Sequence, residues 1–468
     1  MTNAIKLAII AIMNINYLQE HNPWWRRMEF ILEDNYIVEL KKQKYPFYHP
    51  IYQTLPINKD GILILRGPRR IGKTTLLKLL IKRLLLKEKI EKENVFFFPC
   101  DTLKDYKELE ETLRLYLDYI RSKNQKRLFI FLDEISFVSD WQRGIKLLAD
   151  TGKFKNVLIL LTGSNVLDFK YSSERLPGRR GDIFPWDLTF LPLTFQEFIN
   201  LIEPKLINTP LASSLSLLPK FQKLFTDYLI SGGFPLTINE YFTKGYISTQ
   251  TYEIFLAWIE GDLHKVGKSE NSAYQILSRI FTHLTTPVSF YKISKEAGIA
   301  SHTTTEEYLD ILEKMFVIFR LPYFSLEEKR LYFRKNSKFY FVDPFIFNTL
   351  LAKIKGFTSE SFAYNNRFIQ DFKNWPLLIE NALASHLKRR FINLYFGRAS
   401  KDKEIDFVGF DKEKYIFFEA KYQKKVKEND FFWTKEILKK EKLTVLTQKD
   451  YQQGKFSLTP AEMFLGYF

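Results

Sequence analysis

The sequence predicts an α/β fold. A parallel sheet built around a glycine loop is followed by a helical region, a small helix-turn-helix unit and a second α/β domain. Three observations carry this. Leu63-Ile-Leu-Arg-Gly-Pro-Arg-Arg-Ile-Gly-Lys-Thr-Thr-Leu-Leu77 runs from apolar strand through glycine loop to apolar helix. Continuous apolar runs at 62–66, 95–99, 128–133 and 157–162 alternate with amphipathic helical stretches, the pattern of strands covered on both faces. At the C-terminus the order changes to helix 376–390, strands 392–396, 404–410 and 415–422, helix 430–440 and strand 443–447.

The first run has the G-x-x-x-x-G-K-[ST] spacing of a phosphate-binding loop, with Gly67 and Gly72 enclosing Pro68, Arg69, Arg70 and Ile71. A loop of this length wraps a phosphate, and its glycines let backbone N–H groups turn inward. The helix beginning at Lys73 points the positive end of its dipole at the same place. Lys73 would reach the β and γ oxygens, the Thr74 hydroxyl would hold Mg2+, and Thr75 completes the binding stretch. ATP and Mg2+ are the cofactors this implies. The run 128–132 then ends in Asp133-Glu134. Asp133 would bind Mg2+ through its water, and Glu134 would polarise the attacking water as general base. The run 157–161 ends in Thr162-Gly-Ser164-Asn165, a polar tip suited to positioning water. Arg179, in Leu176-Pro-Gly-Arg179-Arg180-Gly181, would stabilise transferring phosphate charge in cis or from a neighbouring subunit.

The chain has 468 residues, 70 Lys+Arg against 54 Asp+Glu and a net charge of +16. That length suits about three domains, and the excess of positive charge suits nucleic acid, DNA above all. Cys100 is the only cysteine, which excludes internal disulfides and a cysteine-based zinc cluster and suits a reducing compartment. The apolar stretch 4–13 is too short to span a membrane and lacks a signal-peptide cleavage site, so no membrane partner is expected and the location is read as cytoplasmic; Met1 and Met13 both stay open as the native start. Asn22-Pro-Trp-Trp-Arg-Arg27 places aromatic rings beside arginines. Such rings stack on bases or, as is commoner, dock on a core.

Taken together, the Walker-type loop, Asp133-Glu134, Thr162-Gly-Ser164, the Gly-Arg loop, Leu191-Pro-Leu-Thr-Phe-Gln-Glu-Phe198 and Gly232-Gly-Phe-Pro235 resemble a family of archaeal and bacterial AAA+ ATPases. Members of that family carry a winged-helix module and a C-terminal nuclease-like region of unknown function. The resemblance implies an ATP-hydrolysing core in which Lys73 and Thr74 are the Walker A residues and Asp133 and Glu134 the Walker B pair. It also implies Ser164 as sensor, Arg179 as the Gly-Arg arginine and Pro235 in the turn that touches adenine; with Arg179 acting in cis or in trans, a homo-oligomer stays open. On this reading the chain divides into an N-terminal segment (1–45), AAA+ core (46–200), helical lid (201–270), winged helix (271–345) and nuclease-like domain (346–468).

The C-terminal domain has its own acidic set. Glu380 falls on a helix, Asp406 on a strand, and Glu419 and Lys421 share one face of the next strand by alternation. Two or three carboxylates would hold a metal and the lysine would stabilise phosphate charge, the arrangement of a PD-(D/E)xK nuclease. The proline of that motif is replaced by Ile405, and Glu-x-Lys is a cheap pattern in so charged a chain, so a solvated strand or an inactive DNA-binding relative reads equally well. Lys424, Lys425 and Lys427 follow and suit phosphates. In the middle region, 291–298, 302–315 and the strands 317–324 and 338–342 read as a helix-turn-helix with a wing. Glu306, Glu307, Asp310 and Glu313 make its second helix acidic, whereas Lys329, Arg330, Arg334, Lys335 and Lys338 make the wing a candidate for phosphate contact. The sequence thus supports two functions: a DNA-directed ATPase, or a nucleotide-dependent switch that binds protein or DNA without cutting.

Overall fold

The computed structural model describes residues 15–121, 127–163, 181, 187–207, 215–332, 336–400, 402–412, 414–438, 441–454 and 456–468. The chain forms two compact units, 1–191 and 192–468.

In the first unit, the strands β1 (Gly61–Arg66), β2 (Val95–Pro99), β3 (Leu128–Asp133), β4 (Val157–Gly163) and β5 (Asp187–Thr189) form one sheet in the order β2-β3-β4-β1-β5. Every pairing is parallel. The first four strands coincide with the apolar runs to within a residue, because burial on both faces leaves no polar alternation to read. Helices Lys73–Lys82, Tyr106–Arg121 and Trp141–Asp150 connect them. The parallel arrangement brings the C-terminal ends of β1, β3 and β4 to one edge, where ligands of open α/β sheets bind.

The segment before β1 belongs to this unit. Asn22 extends the edge strand β2: its Nδ2 donates to Phe97 O (3.0 Å), and its Oδ1 accepts from Phe97 N (2.7 Å). Trp24 and Trp25 are buried, and both indoles donate to Val95 O (2.9 and 3.0 Å). The tryptophans therefore dock on the core and cover an edge that would otherwise offer unpaired backbone groups.

In the second unit, helices Phe195–Ile202, Leu218–Ser231, Pro235–Lys244 and Thr249–Lys265 precede a group formed by Glu270–Thr282, Phe290–Ala297 and His302–Lys314. Strands β6 (Ile318–Leu321), β7 (Tyr323–Ser325), β8 (Arg330–Tyr332) and β9 (Lys338–Phe341) follow. β6 and β9 pair antiparallel as a two-stranded ribbon. The strand expected at 317–324 is broken: Pro322, which has no N–H to give a ladder, separates β6 from β7. β7 and β8 leave the ribbon and join the C-terminal sheet. That sheet also contains β10 (Asn393–Ser400), β11 (Lys403–Asp411), β12 (Lys414–Ala420), β13 (Leu443–Thr447) and β14 (Phe456–Pro460), in the order β14-β13-β12-β11-β10-β7-β8. The sheet consequently spans position 345, where sequence reading placed a domain boundary. Helix Trp375–Arg390 packs on β10 and β12. A core that includes Phe324, Ile405, Val408, Phe417 and Val445 ties β7 to the C-terminal strands.

Candidate functional site

The loop after β1 is shaped by two glycines. A Cβ on Gly67 would lie 2.2 Å from the backbone oxygen of Phe190, in a segment held to β1 by the bond from Phe190 N to Arg66 O (2.7 Å). Gly72 has φ +99°, which disfavours any side chain, and it caps helix Lys73–Lys82. Between them Pro68 and Ile71 are buried, Arg70 is exposed, and the Arg69 guanidinium lies 5.8 Å from the centre of the Phe137 ring. Lys73, almost wholly buried, donates from Nζ to Gly67 O (3.0 Å) and Pro68 O (2.9 Å), and lies 4.0 Å from Glu134 Oε1. The ammonium is thus held under the loop, on the side from which a P-loop lysine meets β and γ oxygens.

At the ends of β3 and β4 three polar side chains converge. Thr74 Oγ1 donates to Asp133 Oδ2 (2.7 Å), and Thr162 Oγ1 donates to the other carboxylate oxygen. Glu134 N donates in turn to Thr162 Oγ1 (3.1 Å), and Glu134 stands at the strand end with φ 51°. Burial pushes the Asp133 carboxyl up, against the two hydroxyl bonds that favour its charged form. Register explains the contact: β3 and β4 pair Leu132 with Leu161, so the next residues, Asp133 and Thr162, stand side by side. The donor set fits Mg2+ and nucleotide, with a hydroxyl and a carboxylate oxygen meeting at a helix N-terminus beneath a loop of inward N–H groups.

In the sequence Thr162 is only part of the strand tip, and its role comes from the register with the neighbouring strand. Thr162→Val, which keeps shape but removes both bonds, is expected to lower ATP turnover about tenfold with little change in fold, as measured by steady-state phosphate release and circular dichroism. Tyr36 belongs to no motif in the sequence. It lies on helix Asn35–Lys42, half exposed, and its hydroxyl hydrogen-bonds with Thr74; burial, then the charges of Asp133 and Asp34, raise its pKa. Asp34 on the same segment pairs with Lys78 (3.2 Å), whose ammonium sits 3.6 Å over the Phe97 ring. Thr75 is half-buried on the loop helix. Ser164, Asn165 and Arg179 lie outside the described residues. Pro235 opens a helix of the second unit, just after Gly233, whose N–H donates to Asp343 Oδ2 (2.8 Å).

The second unit brings Glu380, Asp406 and Glu419 together. Asp406 N donates to Glu419 Oε2 (3.1 Å), and Ala420 N donates to Asp406 Oδ2 (3.0 Å). The lysine among them is not Lys421. β12 ends at Ala420, and beyond it the Lys421 N–H pairs with Leu446 O (2.9 Å). The ammonium comes from Lys338 of β9, whose Nζ lies 2.7 Å from Asp406 Oδ1, 2.8 Å from Glu404 Oε1 and 3.3 Å from Glu380 Oε1. Lys338 is therefore not a wing residue offered to phosphates; its ammonium turns inward to Asp406, Glu404 and Glu380. Tyr340, two residues along the same strand, donates to Glu380 Oε1 (2.7 Å). Burial, then the charge of Asp406, pushes Glu380 up to about 8 and drives Glu419 up by the same causes. Burial draws Lys338 down, but Asp406, Glu380, Tyr340 and Glu404 outweigh it and hold the ammonium charged. Among the described residues no group of three or more His, Cys, Asp or Glu is arranged to hold a metal ion. Nor, among them, is any helix long and apolar enough to cross a membrane.

Residues 59–199 match the family model described as an AAA domain. The phosphate-loop sheet is an AAA domain. It is a nucleotide-binding ATPase module, and β1 to β5 with the helix Lys73–Lys82 lie inside the matched range. Residues 222–356 and 377–464 match two models described as domains of unknown function, DUF8612 and DUF4143. An uncharacterized protein of Haemophilus influenzae is 25% identical over 376 residues, covering 78% of this chain and 83% of its own. Uncharacterized protein MJ1544 of Methanocaldococcus jannaschii is 26% identical over 409 residues, covering 82% and 79%. Among solved structures, the Walker-type ATPase PABY2304 of Pyrococcus abyssi is similar at 17% identity and a TM-score of 0.37, over 62% of this chain and 91% of that one.

Proposed function

We propose that this chain is a Mg2+-dependent ATPase, located in the cytoplasm, that hydrolyses ATP to act on DNA. The observation that carries the ATPase part is the hydrogen-bonded row Thr74–Asp133–Thr162–Glu134 at the mouth of the AAA domain's glycine loop. Lys73 would bear on the β and γ oxygens, Thr74 and Asp133 would hold Mg2+, and Glu134 would orient and polarise the attacking water. Bound Mg2+ supplies charge stabilisation to the transferring phosphoryl group. Ser164 as sensor and Arg179 as a stabilising arginine, in cis or from a second copy in a homo-oligomer, complete the proposal.

DNA is favoured by the net charge of +16 and by the helix-turn-helix unit, which we take as a winged helix. Its acidic second helix is less repulsive than its composition suggests. Glu307 pairs with Lys268 (2.7 Å), and Arg320 neutralises Asp310 (2.9 Å) and Glu313 (3.2 Å). The exposed Lys424, Lys425 and Lys427 add phosphate-directed charge on the C-terminal domain, which we take as nuclease-like in fold. Duplex affinity is expected to fall about a hundredfold between about 50 and about 200 mM salt, the signature of some four neutralised phosphates. Fluorescence anisotropy with a labelled duplex measures this, and a salt-independent affinity or no binding would remove DNA from the proposal. A second reading keeps the ATPase as a nucleotide-dependent switch that binds partners without cutting. The filling of the acidic cluster by Lys338 favours that reading over a metal-dependent nuclease.

A further inference from the structure

We infer that Lys338 is a resident cation standing where a divalent metal would have to sit, so that the Glu380–Glu404–Asp406–Glu419 cluster is closed to metal. This goes beyond the ATPase proposal and does not depend on it.

The resemblance to metal-dependent nucleases implies a metal held by these carboxylates, and the residues present do not fit one. A hard divalent cation needs several carboxylate oxygens at about 2.0 to 2.6 Å. Here six of the eight oxygens are already committed. Asp406 Oδ1, Glu404 Oε1 and Glu380 Oε1 all face the Lys338 ammonium, which has three N–H groups to give. Asp406 Oδ2 accepts from Ala420 N, Glu404 Oε2 accepts from Arg398 Nε, and Glu419 Oε2 accepts from Asp406 N. The Lys338 side chain is 1% exposed, so it does not swing out into water as a surface lysine would. Its backbone is fixed by the pairing of β9 with β6, and the Tyr340 hydroxyl braces Glu380 from the same strand. A divalent ion placed among these oxygens would meet a buried positive charge within about 3 Å, and the repulsion at that distance in a poorly solvated site is strong. The ammonium therefore does what a metal does for packing, by offsetting converging negative charge, and does none of what a metal does for water. It also couples the two-stranded ribbon to the C-terminal sheet, since the cation lies on β9 and its partners Glu404 and Asp406 lie on β11.

Mn2+ binding tests this on the full-length protein, with Asp133→Asn introduced to silence the ATP site and no nucleotide present. By electron paramagnetic resonance, the protein with Lys338 intact is expected to take up no Mn2+ that depends on Asp406. Lys338→Gln is expected to gain a single Mn2+ site with at least about tenfold higher affinity, lost again when Asp406→Asn or Glu380→Gln is added. Uptake with Lys338 intact that Asp406→Asn abolishes would overturn the inference. So would a folded Lys338→Gln protein that gains nothing, since the lysine would then not be what excludes metal. The first arm alters nothing at Lys338, so it can overturn the closure of the cluster even where Lys338→Gln fails to fold.

Discussion

Glu134→Gln is expected to lower ATP turnover at least about a hundredfold while leaving ATP binding near wild type, because it removes the base and keeps the shape. Lys73→Ala is expected to lose both, since the ammonium held at Gly67 O and Pro68 O is the charge available beneath the loop to β and γ oxygens. The two substitutions thus separate binding from chemistry. Equilibrium binding of a fluorescent ATP analogue reads the first quantity and phosphate release reads the second. Turnover that survives in both proteins would remove the assignment of the AAA domain's site. Glu134 lies 4.0 Å from the Lys73 ammonium, so glutamine there also removes an attraction across the loop mouth. A modest change in affinity is compatible with that; a collapse of binding would instead place Glu134 in the structure of the loop.

How much of this was legible depended on how far apart the interacting residues lie. The strands of the AAA domain stand out because burial on both faces makes them continuous apolar runs, and the loop stands out because its chemistry is local. The row Thr74–Asp133–Thr162 is half legible: Thr74 and Asp133 belong to familiar patterns, but Thr162 acquires its role only from the register of β4 against β3. The C-terminal cluster is the opposite case. Alternation predicts Glu419 and Lys421 on one face, but β12 stops at Ala420, and the lysine that meets the acids arrives from β9. Pro322 shows the same limit. It is plain in the sequence, but that it sends β6 and β7 to different sheets is settled by tertiary pairing.

Asp343→Ala is expected to destabilise the second unit by about 3 kcal/mol, a fall of roughly 8 °C in its unfolding transition. Asp343 is fully buried at the start of helix Pro344–Ile354, where its carboxylate accepts from Phe345 N (2.8 Å) as the cap and from Gly233 N (2.8 Å) in the Gly-Gly-Phe-Pro turn. Alanine removes a helix cap and strands two buried N–H groups, each of which costs stability when unpaired. Hydrogen exchange at Gly233 and Phe345 localises the effect; unchanged protection at both would show that the aspartate is not what holds the turn. The pH dependence supplies a separate check. Burial, against the two N–H bonds and the charge of Arg389, raises Asp343 to about 6, whereas an unfolded aspartate titrates near 3.9. Between those values the folded protein holds the extra proton, so stability falls as pH rises. The contribution is fully present below about 3.9, is lost as pH passes through about 6, and is flat above. Asp343→Ala should remove that part of the slope and leave the decline that buried Glu462, raised to about 7, and Glu380, raised to about 8, produce from about 4.3 upward until each has released its proton. The alanine protein is therefore expected to lie furthest below wild type at low pH and to approach it as pH rises past about 6.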